Sequence, residues 1–159
     1  MIKDILHLKF EDVPSHHDCP HEGYESYRRN LVPKGEANQC AVTVYEVPPG
    51  KSAIPYHYHV KNEEAFYIIS GEGILKAPLG DRQVKAGDFL FFPANENGAH
   101  KLTNSSDTEM LVYLDFDTSN EINDIEVAFY PDSGKIGVWG KDINKIYKQG
   151  DSVEYFEGE

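Results

Sequence analysis

The residues of this 159-residue chain that are best suited to chemistry lie between Gly50 and Gly71. His57 and His59 are two positions apart, so both imidazoles project from the same face if this segment is a strand. Glu64 follows five positions later, ahead of an apolar run that is typical of a strand. A turn between the two segments would carry the Glu64 carboxylate to the face of the histidines. The spacing therefore predicts a group of nitrogen and oxygen ligands around one metal ion.

A fourth ligand comes from a later segment, in which His100 stands at the start of another predicted strand. Glu63 is a rival source of the carboxylate, but it points away from the histidines if Glu64 points toward them. Three neutral imidazoles and one carboxylate suit a divalent transition metal (Fe, Mn, Ni, Cu or Zn), with positions left open for water or a substrate. The predicted metal ligands are His57, His59, Glu64 and His100.

These two segments resemble the paired sequence motifs of the cupin superfamily. The first motif corresponds to Gly50, His57, His59, Glu64 and Gly71, with one residue more after Gly50 than the family usually has. The second corresponds to Gly87, Pro93, His100 and Asn104, with two additional residues between Pro93 and His100. The resemblance implies an all-β cupin fold, the double-stranded β-helix or jelly-roll barrel.

The strand pattern leads to the same fold class. Many short predicted strands at regular spacing, with almost no helical periodicity, favour an all-β barrel or double sheet. Alternate positions from 53 to 59 share the face of both histidines, and alternate positions from 64 to 70 share the face of Glu64. These faces are polar at one end and apolar at the other, which predicts a site at one mouth of the barrel.

We expect one cupin domain over residues 1–159. Its parts are an N-terminal strand and arm (1–37), a core barrel with both motifs (38–116) and C-terminal strands with a tail (117–159). Ile2–Phe10 alternates like a strand, and the Pro- and Gly-containing stretch Glu11–Gly35 is expected to be an arm draped over the barrel. The resemblance implies that the N-terminal strand could form a homodimer contact.

Several side chains are assigned a packing role. The even positions of the strand that begins near Cys40 are slightly better candidates for the buried face, and the apolar run Phe89–Phe92 is expected to be covered on both sides. Residues 117–123 are expected to be a polar connection. Trp139 is better explained by packing than by ligand stacking, and three aromatic residues are expected to anchor the tail: Tyr147, Tyr155 and Phe156.

The arm contains two groups with open interpretations. One is the cluster His16, His17, Cys19 and His21. It could bind a second metal, but it lacks the distant second half of a closed zinc site, so solvated or hydrogen-bonded histidines are favoured. The other group consists of Tyr24, Tyr27, Arg28 and Arg29. It could clamp an anionic substrate, whereas surface ion pairs are the commoner role of such arginines.

Composition excludes some partners. A formal net charge of −12, from 27 acidic and 15 basic residues, argues against nucleic acid or an anionic membrane. No apolar run approaches the roughly 20 residues that span a bilayer, and the N-terminus lacks the apolar core of a secretory signal. Cys19 and Cys40 are expected to be reduced thiols in a cytoplasmic protein.

Three classes of function on a small organic molecule stay open. An oxygenase-type oxidoreductase, in which a redox-active metal binds an enolate or catecholate, is placed slightly ahead. The second is a non-redox isomerase or epimerase of a sugar or sugar phosphate, in which the metal polarises a carbonyl. It would need a base beyond the ligands, for which Glu63, Tyr67 or Tyr113 are candidates. The third is a binding module without catalysis.

Overall fold

The computed structural model describes residues 2–118 and 124–159, so most of the predicted 117–123 connection lies outside the described residues. Within these ranges the chain forms thirteen strands and four short 3-10 turns. The strands are β1 (His16–His21), β2 (Tyr24–Val32), β3 (Cys40–Val47), β4 (Tyr58–His59), β5 (Glu64–Ser70), β6 (Glu72–Lys76), β7 (Arg82–Lys85), β8 (Phe89–Phe92), β9 (Lys101–Asn104), β10 (Leu111–Thr118), β11 (Glu126–Tyr130), β12 (Lys135–Gly140) and β13 (Ile143–Lys148). The all-β prediction is confirmed. No helix in this described part of the chain is long and apolar enough to cross a membrane.

The strands form three antiparallel sheets. The largest has six strands in the order β1-β2-β3-β10-β5-β8, and the others have the orders β13-β12-β11-β4 and β7-β6-β9. β10 lies between β3 and β5, where Asp117 is opposite both Ala41 and Glu64. β4 pairs with β11, so the strand that carries His59 is held by a strand far along the chain. The topology thus brings both motif segments and β11 to one place.

Side chains alternate along β5 as its sequence predicts. Glu64, Phe66 and Ile68 are buried, whereas Tyr67 and Ile69 are about half exposed at 47% and 48%. Phe66 and Ile68 belong to the main core, together with Val47, Leu75, Val84, Phe92, Leu102, Leu111 and Tyr113. Each large apolar side chain contributes about 1.5–3 kcal/mol relative to exposure in water. The predicted interior, polar beside Glu64 and apolar beyond it, is confirmed.

Buried and more exposed side chains also alternate along β10. This alternation shows which face of β10 points inward, a question that the sequence left open. Leu111, Tyr113, Asp115 and Asp117 are buried on the inner side, and Phe116 lies on the outer side with 40% of its surface exposed. Two of the inward residues are therefore carboxylic acids. Their side chains lie in the part of the interior that also contains Glu64.

The N-terminal part of the chain differs from the prediction. Residues 2–9 form no strand, and the expected arm contains the hairpin of β1 and β2, which extends the largest sheet. Pro20 does not prevent this because β1 is an edge strand, where a missing N–H donor is tolerated. Gly23 forms the turn with φ +82°, which is unfavourable for other residues. Because β2 is half-buried along nearly its whole length, it has no clean alternation for a sequence pattern to reveal.

The prediction that the even positions of β3 face the interior is also wrong. Ala41, Thr43 and Tyr45, at the odd positions, line the interior cavity. The sequence could not distinguish the two faces because Val44, on the other face, is equally buried at 2%.

Two other burial predictions are wrong. In β8 Phe92 is buried, but Phe89 and Phe91 are 67% and 54% exposed, so the single chain covers only one face of this strand. The expected anchors of the tail, at Tyr147, Tyr155 and Phe156, are 50–88% exposed. The strand β13 was not anticipated, since its largely exposed side chains leave no apolar pattern.

We predict that Gly71→Ala destabilises the fold more than Gly80→Ala. Both glycines have positive φ, at +82° and +108°, and share the cost of about 1–2 kcal/mol for a left-handed residue with a side chain. A Cβ at Gly71 would also meet the backbone of Met110 and lie 2.9 Å from Leu111 Cα, whereas a Cβ at Gly80 meets nothing. Urea unfolding should therefore show an additional loss of about 1–3 kcal/mol for Gly71→Ala. Equal losses in the two variants would contradict the close packing of the β5–β6 turn.

Candidate metal centre

Backbone pairing places the predicted ligands side by side. His57 and His100 form an isolated antiparallel bridge, in which each N–H donates to the other carbonyl at 3.1 and 2.9 Å. His59 lies in β4 with the same parity as His57, and the chain then reverses so that β5 begins at Glu64. Three separate segments therefore converge on one point.

The four side chains are buried around the Glu64 carboxylate. The Nε2 atoms of His57, His59 and His100 lie 3.5, 3.6 and 3.2 Å from Glu64 Oε2. Ligand atoms of His57, His59 and Glu64 all lie within 4.8 Å of one another, the only group of this kind found among the described residues. His100 does not belong to this group of three, but its Nε2 atom is the imidazole nitrogen closest to Glu64 Oε2, at 3.2 Å.

Each imidazole is oriented by a partner at its other nitrogen. His57 Nδ1 is 2.9 Å from the Pro55 carbonyl, and His100 Nδ1 is 2.9 Å from the Gly98 carbonyl. A carbonyl oxygen can only accept, so these Nδ1 atoms carry the proton and the Nε2 lone pairs face Glu64. Such an arrangement is characteristic of histidines that bind metals.

Glu126 orients the third imidazole and was not singled out from the sequence. Its buried carboxylate accepts from His59 Nδ1 at 3.2 Å and from the backbone N–H groups of Val60 and Asn62 at 3.1 and 3.2 Å. Glu126 thus fixes both the ring of His59 and the backbone of the turn between β4 and β5. The sequence shows only an acidic residue at the start of an otherwise apolar strand. This signal is weak unless the pairing of β11 with β4 is known.

The site contains polar atoms that the protein leaves without partners. Glu64 Oε2 and His100 Nε2 are buried and have no hydrogen-bond partner. An unpaired buried polar group costs about 1–3 kcal/mol, more for a charged one. A bound cation would satisfy both atoms, so the residues present fit a transition metal of the predicted type.

The charge states also suit a cation. Burial by itself raises the pKa of Glu64, but in their protonated forms the hydrogen bond from His57 and the positive charges of His100, His57 and His59 outweigh it and lower that pKa well below its usual range. Burial lowers the pKa of His100 to about 4, so this imidazole is neutral at physiological pH. For His59 burial lowers the pKa, but the Glu126 hydrogen bond and the Glu64 charge outweigh it and raise the pKa above the ordinary value of 6.5.

A cavity of about 440 Å³ opens beside the ligands, large enough for a small organic molecule. Its walls include His57, His59 and Glu64 on one side and Tyr45, Tyr130 and Trp139 elsewhere. Trp139 lines the cavity and also contacts Tyr130, with ring centroids 6.5 Å apart, which agrees with the packing role expected for it.

Two buried acids of β10, Asp115 and Asp117, face this cavity. Asp115 Oδ1 has no hydrogen-bond partner, and Asp117 Oδ2 lies 2.9 Å from Lys34 Nζ. Burial raises the pKa of Asp115 well above its usual value, with the Glu64 charge acting in the same direction. Burial also raises the pKa of Asp117, although Lys34 opposes the shift.

The three predicted candidates for a general base occupy different places. Tyr113 is buried at 2% exposure and stacks against Tyr45, with ring centroids 5.3 Å apart. Glu63 is exposed, and Tyr67 is 47% exposed on the outer face of β5. The structure therefore brings only Tyr113 of these three into the interior. Asp115 was not singled out from the sequence.

The polar groups of the N-terminal hairpin do not form a second metal group. The predicted cluster is spread along β1, where His17 Nε2 lies 3.1 Å from Glu25 Oε1 and its ring stacks on Tyr27. Arg28 pairs with Asp18, which confirms the interpretation as a surface ion pair. Cys19 and Cys40 are free thiols, as predicted.

Comparison with known proteins identifies the family to which part of the chain is similar. Residues 43–117 match the family model of the cupin domain, which confirms the predicted cupin resemblance over this stretch. An oxalate-binding protein of Thermotoga maritima is 33% identical over 69 residues, which are 43% of this chain and 56% of that protein. The match therefore spans little more than half the length of this curated relative.

Two solved structures share the fold over nearly the whole chain. A putative sugar phosphate isomerase from Acidithiobacillus ferrooxidans is 24% identical, with a TM-score of 0.77 and coverage of 91% of this chain and 90% of its own. A cupin-superfamily sugar phosphate isomerase from Silicibacter pomeroyi is 20% identical, with a TM-score of 0.80 and coverage of 92% and 95%. At these identities the likeness concerns the fold.

We predict that His57→Ala and His100→Ala each abolish stoichiometric metal binding without unfolding the barrel. Each variant removes an oriented Nε2 atom from the site, whereas the exposed His17 serves as the control in His17→Ala. Metal content measured by inductively coupled plasma mass spectrometry should fall from near one equivalent to background in both site variants. Full retention in either one would exclude that histidine as a ligand.

Metal affinity should fall as the pH decreases through the pKa of His59, which lies above 6.5. A metal binds the neutral imidazole, so protons compete below this pKa and no longer compete above it. His100, with a pKa of about 4, stays neutral in this range. Calorimetric titration with Mn²⁺ should show a loss of roughly tenfold for each pH unit below the His59 pKa. An affinity that stays constant from about pH 7.5 to 5.5, where histidine titrates, would contradict the ligand assignment.

Proposed function

We propose that this protein is a non-redox, metal-dependent isomerase or epimerase of a sugar or sugar phosphate. The observation that carries the proposal is Asp115, a buried carboxyl with an unpaired oxygen in the same cavity as the metal ligands. Moving a proton between neighbouring carbon atoms requires an acid or base that is not itself a ligand. Asp115 supplies such a group, which makes isomerisation the better-supported alternative to the oxygenase chemistry that the sequence placed ahead.

The proposed metal ligands are His57, His59, Glu64 and His100. When bound, the metal would polarise a carbonyl group and lower the barrier to removal of a proton from the adjacent carbon. The histidines are held by their Nδ1 partners, so the site is organised before a substrate enters. Glu126 maintains the position of His59 and of the turn that follows it.

In the proposed mechanism Asp115 accepts the proton from one carbon and returns it to the next. Burial raises the pKa of this carboxyl, which makes its ionised form a stronger base. Asp117 and Lys34 form a neighbouring charge pair, at 2.9 Å, that can hydrogen-bond substrate hydroxyl groups. Tyr130 and Trp139 offer aromatic surfaces of the cavity wall to the apolar side of a sugar ring.

The experiment is a deuterium-incorporation assay. The chain, loaded in turn with Mn²⁺, Fe²⁺ and Zn²⁺, is incubated in D₂O with a panel of aldoses, ketoses and their phosphates, and the carbon next to the carbonyl is followed by ¹H NMR. We expect deuterium at that carbon together with the isomeric product. Asp115→Asn should slow this by at least about 100-fold while retaining metal, because it removes the proton-transfer group. The matched control is Asp81→Asn, an exposed aspartate, which should change nothing.

Other outcomes would contradict the proposal. Oxygen consumption with enols or catechols, without deuterium exchange in any sugar, would favour the oxygenase. The similarity to an oxalate-binding protein supports a second candidate, a binding module without catalysis. Calorimetric binding of oxalate without turnover of any substrate would favour it. Glu64, Asp115 and Asp117 face the cavity alongside Lys34, which disfavours an anionic group beside the metal ligands. The lining therefore favours an unphosphorylated sugar over both oxalate and a sugar phosphate.

A further inference from the structure

A second cavity, of about 290 Å³, lies next to the cavity beside the metal centre. We call it the hairpin cavity because most of its walls come from the β1–β2 hairpin. Its polar lining residues are Asp18, Glu25, Ser26 and Arg28. Tyr45 and Ile54 line both cavities, so the two spaces share a wall.

The register of the largest sheet places both cavities along one face. Arg28 of β2 is opposite Tyr45 of β3. Two positions along, Asn30 is opposite Thr43, which is itself opposite Asp115 of β10. The Thr43 hydroxyl donates to Asn30 Oδ1 at 3.3 Å, so the side chains of both strands lie on the same face. This inner face therefore continues from β10, which carries the proposed base, across β3 to β2.

Backbone hydrogen bonds hold the hairpin against the loop that leads to the metal ligands. Ser52 N–H donates to the Gly23 carbonyl at 3.1 Å, and Glu25 N–H donates to the Ser52 carbonyl at 3.2 Å. Ser52 is buried, and its hydroxyl lies 2.8 Å from the hydroxyl of Thr103 in β9. The hairpin cavity is therefore fixed to the barrel from two sides.

The hairpin cavity offers both donors and acceptors. Arg28 Nε donates to Asp18 Oδ2 at 2.5 Å, and a guanidinium carries further N–H donors on its terminal nitrogens. The carboxylates of Asp18 and Glu25 accept, and the hydroxyl of Ser26 can do both. The side chains of Arg28 and Asp18 are 38% and 42% exposed, so a ligand in the cavity can reach them.

This lining suits a neutral polyhydroxyl group. Arg28 is paired with Asp18 and Glu25 with His17, so the cavity favours neither sign of charge. A sugar hydroxyl both donates and accepts, and it can therefore bind the arginine and the carboxylates at the same time. The same preference for an uncharged ligand applies to the cavity beside the metal centre, where three carboxylates face the interior.

Tyr45 stands between the two cavities. Burial raises the pKa of its hydroxyl above the usual value of 10, and the charges of Asp115, Lys34 and Arg28 act on the hydroxyl more weakly. The first two of these residues belong to the metal side and the third to the hairpin side. The hydroxyl stays protonated, so it can donate to a ligand that passes from one cavity to the other.

We propose that the hairpin cavity is a second sugar-binding subsite, so that the substrate is a reducing saccharide of at least two linked units. This inference rests on the proposed function: the reducing unit, which carries the carbonyl, lies beside the metal ligands and Asp115, and the neighbouring unit lies against Arg28 and Glu25. Adjacent strands are about 4.8 Å apart, so β10 and β2 are separated by roughly 10 Å, about the length of two linked sugar rings. The glycosidic bond stays intact, because only a carbon-bound proton of the reducing unit moves.

The test compares disaccharides with monosaccharides as ligands of the Zn²⁺-loaded chain, titrated by saturation-transfer difference NMR. The disaccharides are cellobiose, maltose, lactose and melibiose, and their units are glucose and galactose. We expect a disaccharide to bind about 10-fold more tightly than its units, because the second unit adds hydrogen bonds to charged groups. Arg28→Met should bring this ratio close to one, since it removes the donors and keeps the apolar stem. The matched control Arg82→Met, at an exposed position of β7, should keep the ratio.

A second measurement locates each sugar unit without any variant. In the Mn²⁺-loaded chain, paramagnetic broadening of ligand protons decreases steeply with distance from the metal. We expect the proton signals of the reducing unit to broaden more than those of the unit attached to it. Equal broadening of both units would place the second unit outside the hairpin cavity and overturn the proposal.

The subsite and the proposed function fail in different ways. Disaccharides that bind no more tightly than their units would overturn the subsite, and so would a ratio that persists in Arg28→Met. If deuterium is then still incorporated into monosaccharides, the isomerase stands without the subsite. Tighter binding of a disaccharide that Arg28→Met abolishes, without deuterium incorporation into any sugar, would support the subsite and overturn the isomerase.

Discussion

The site depends on one constraint: three imidazoles are held at Nδ1 so that their Nε2 atoms face a single buried carboxylate. The carbonyls of Pro55 and Gly98 hold two of them, and the carboxylate of Glu126 holds the third. Burial of Glu64 is costly by itself, and positive charge, on the imidazoles or on a bound cation, offsets that cost. The remaining unpaired atoms make the arrangement one that a cation completes. The β4–β5 turn, the β4–β11 pairing and the His57–His100 bridge all contribute to this geometry.

The strand β5 joins three parts of the molecule. Its inward side begins with Glu64 in the metal centre and continues with Phe66 and Ile68 in the apolar core. Its outward side carries Tyr67 and Ile69, which are about half exposed on the outer surface of the sheet. A shift of one residue in its register would exchange these sets and turn the carboxylate outward. Pairing with β10 and β8 along most of its length fixes the register.

Much of this arrangement could be predicted from the sequence because it depends on local spacing. His57 and His59 share a face by strand parity, and the same alternation identifies Glu64, Phe66 and Ile68 as inward residues. The position of His100 beside His57 is a long-range bridge, which strand parity alone could not place. His100 was a candidate ligand from its own strand, and the resemblance to the paired cupin motifs linked it to the other three. The face of β3 could not be assigned because Val44 and Tyr45 lie on opposite sides that are both apolar.

Three features were not predicted, for a common physical reason: Glu126, Asp115 and the β1–β2 hairpin. Each is defined by a partner distant in sequence, and none has a distinctive local pattern. Glu126 is recognised only when β11 is paired with β4, and Asp115 only when β10 is known to turn its odd positions inward. The hairpin contains Pro20 and Gly23, residues that normally interrupt strands, and they are accommodated because β1 lies at an edge of the sheet.

The stretch that matches the cupin family model and the set of residues that shape the cavity are not the same. Residues 43–117 contain all four proposed ligands, together with Asp115. The carboxylate that orients His59 and the aromatic walls at Tyr130 and Trp139 come after this stretch, while Lys34 comes before it. Two proteins that share only the matched stretch can therefore hold the same ion and yet enclose differently shaped and charged spaces around it. For this chain, the flanking segments rather than the shared motif would decide which molecules are accepted.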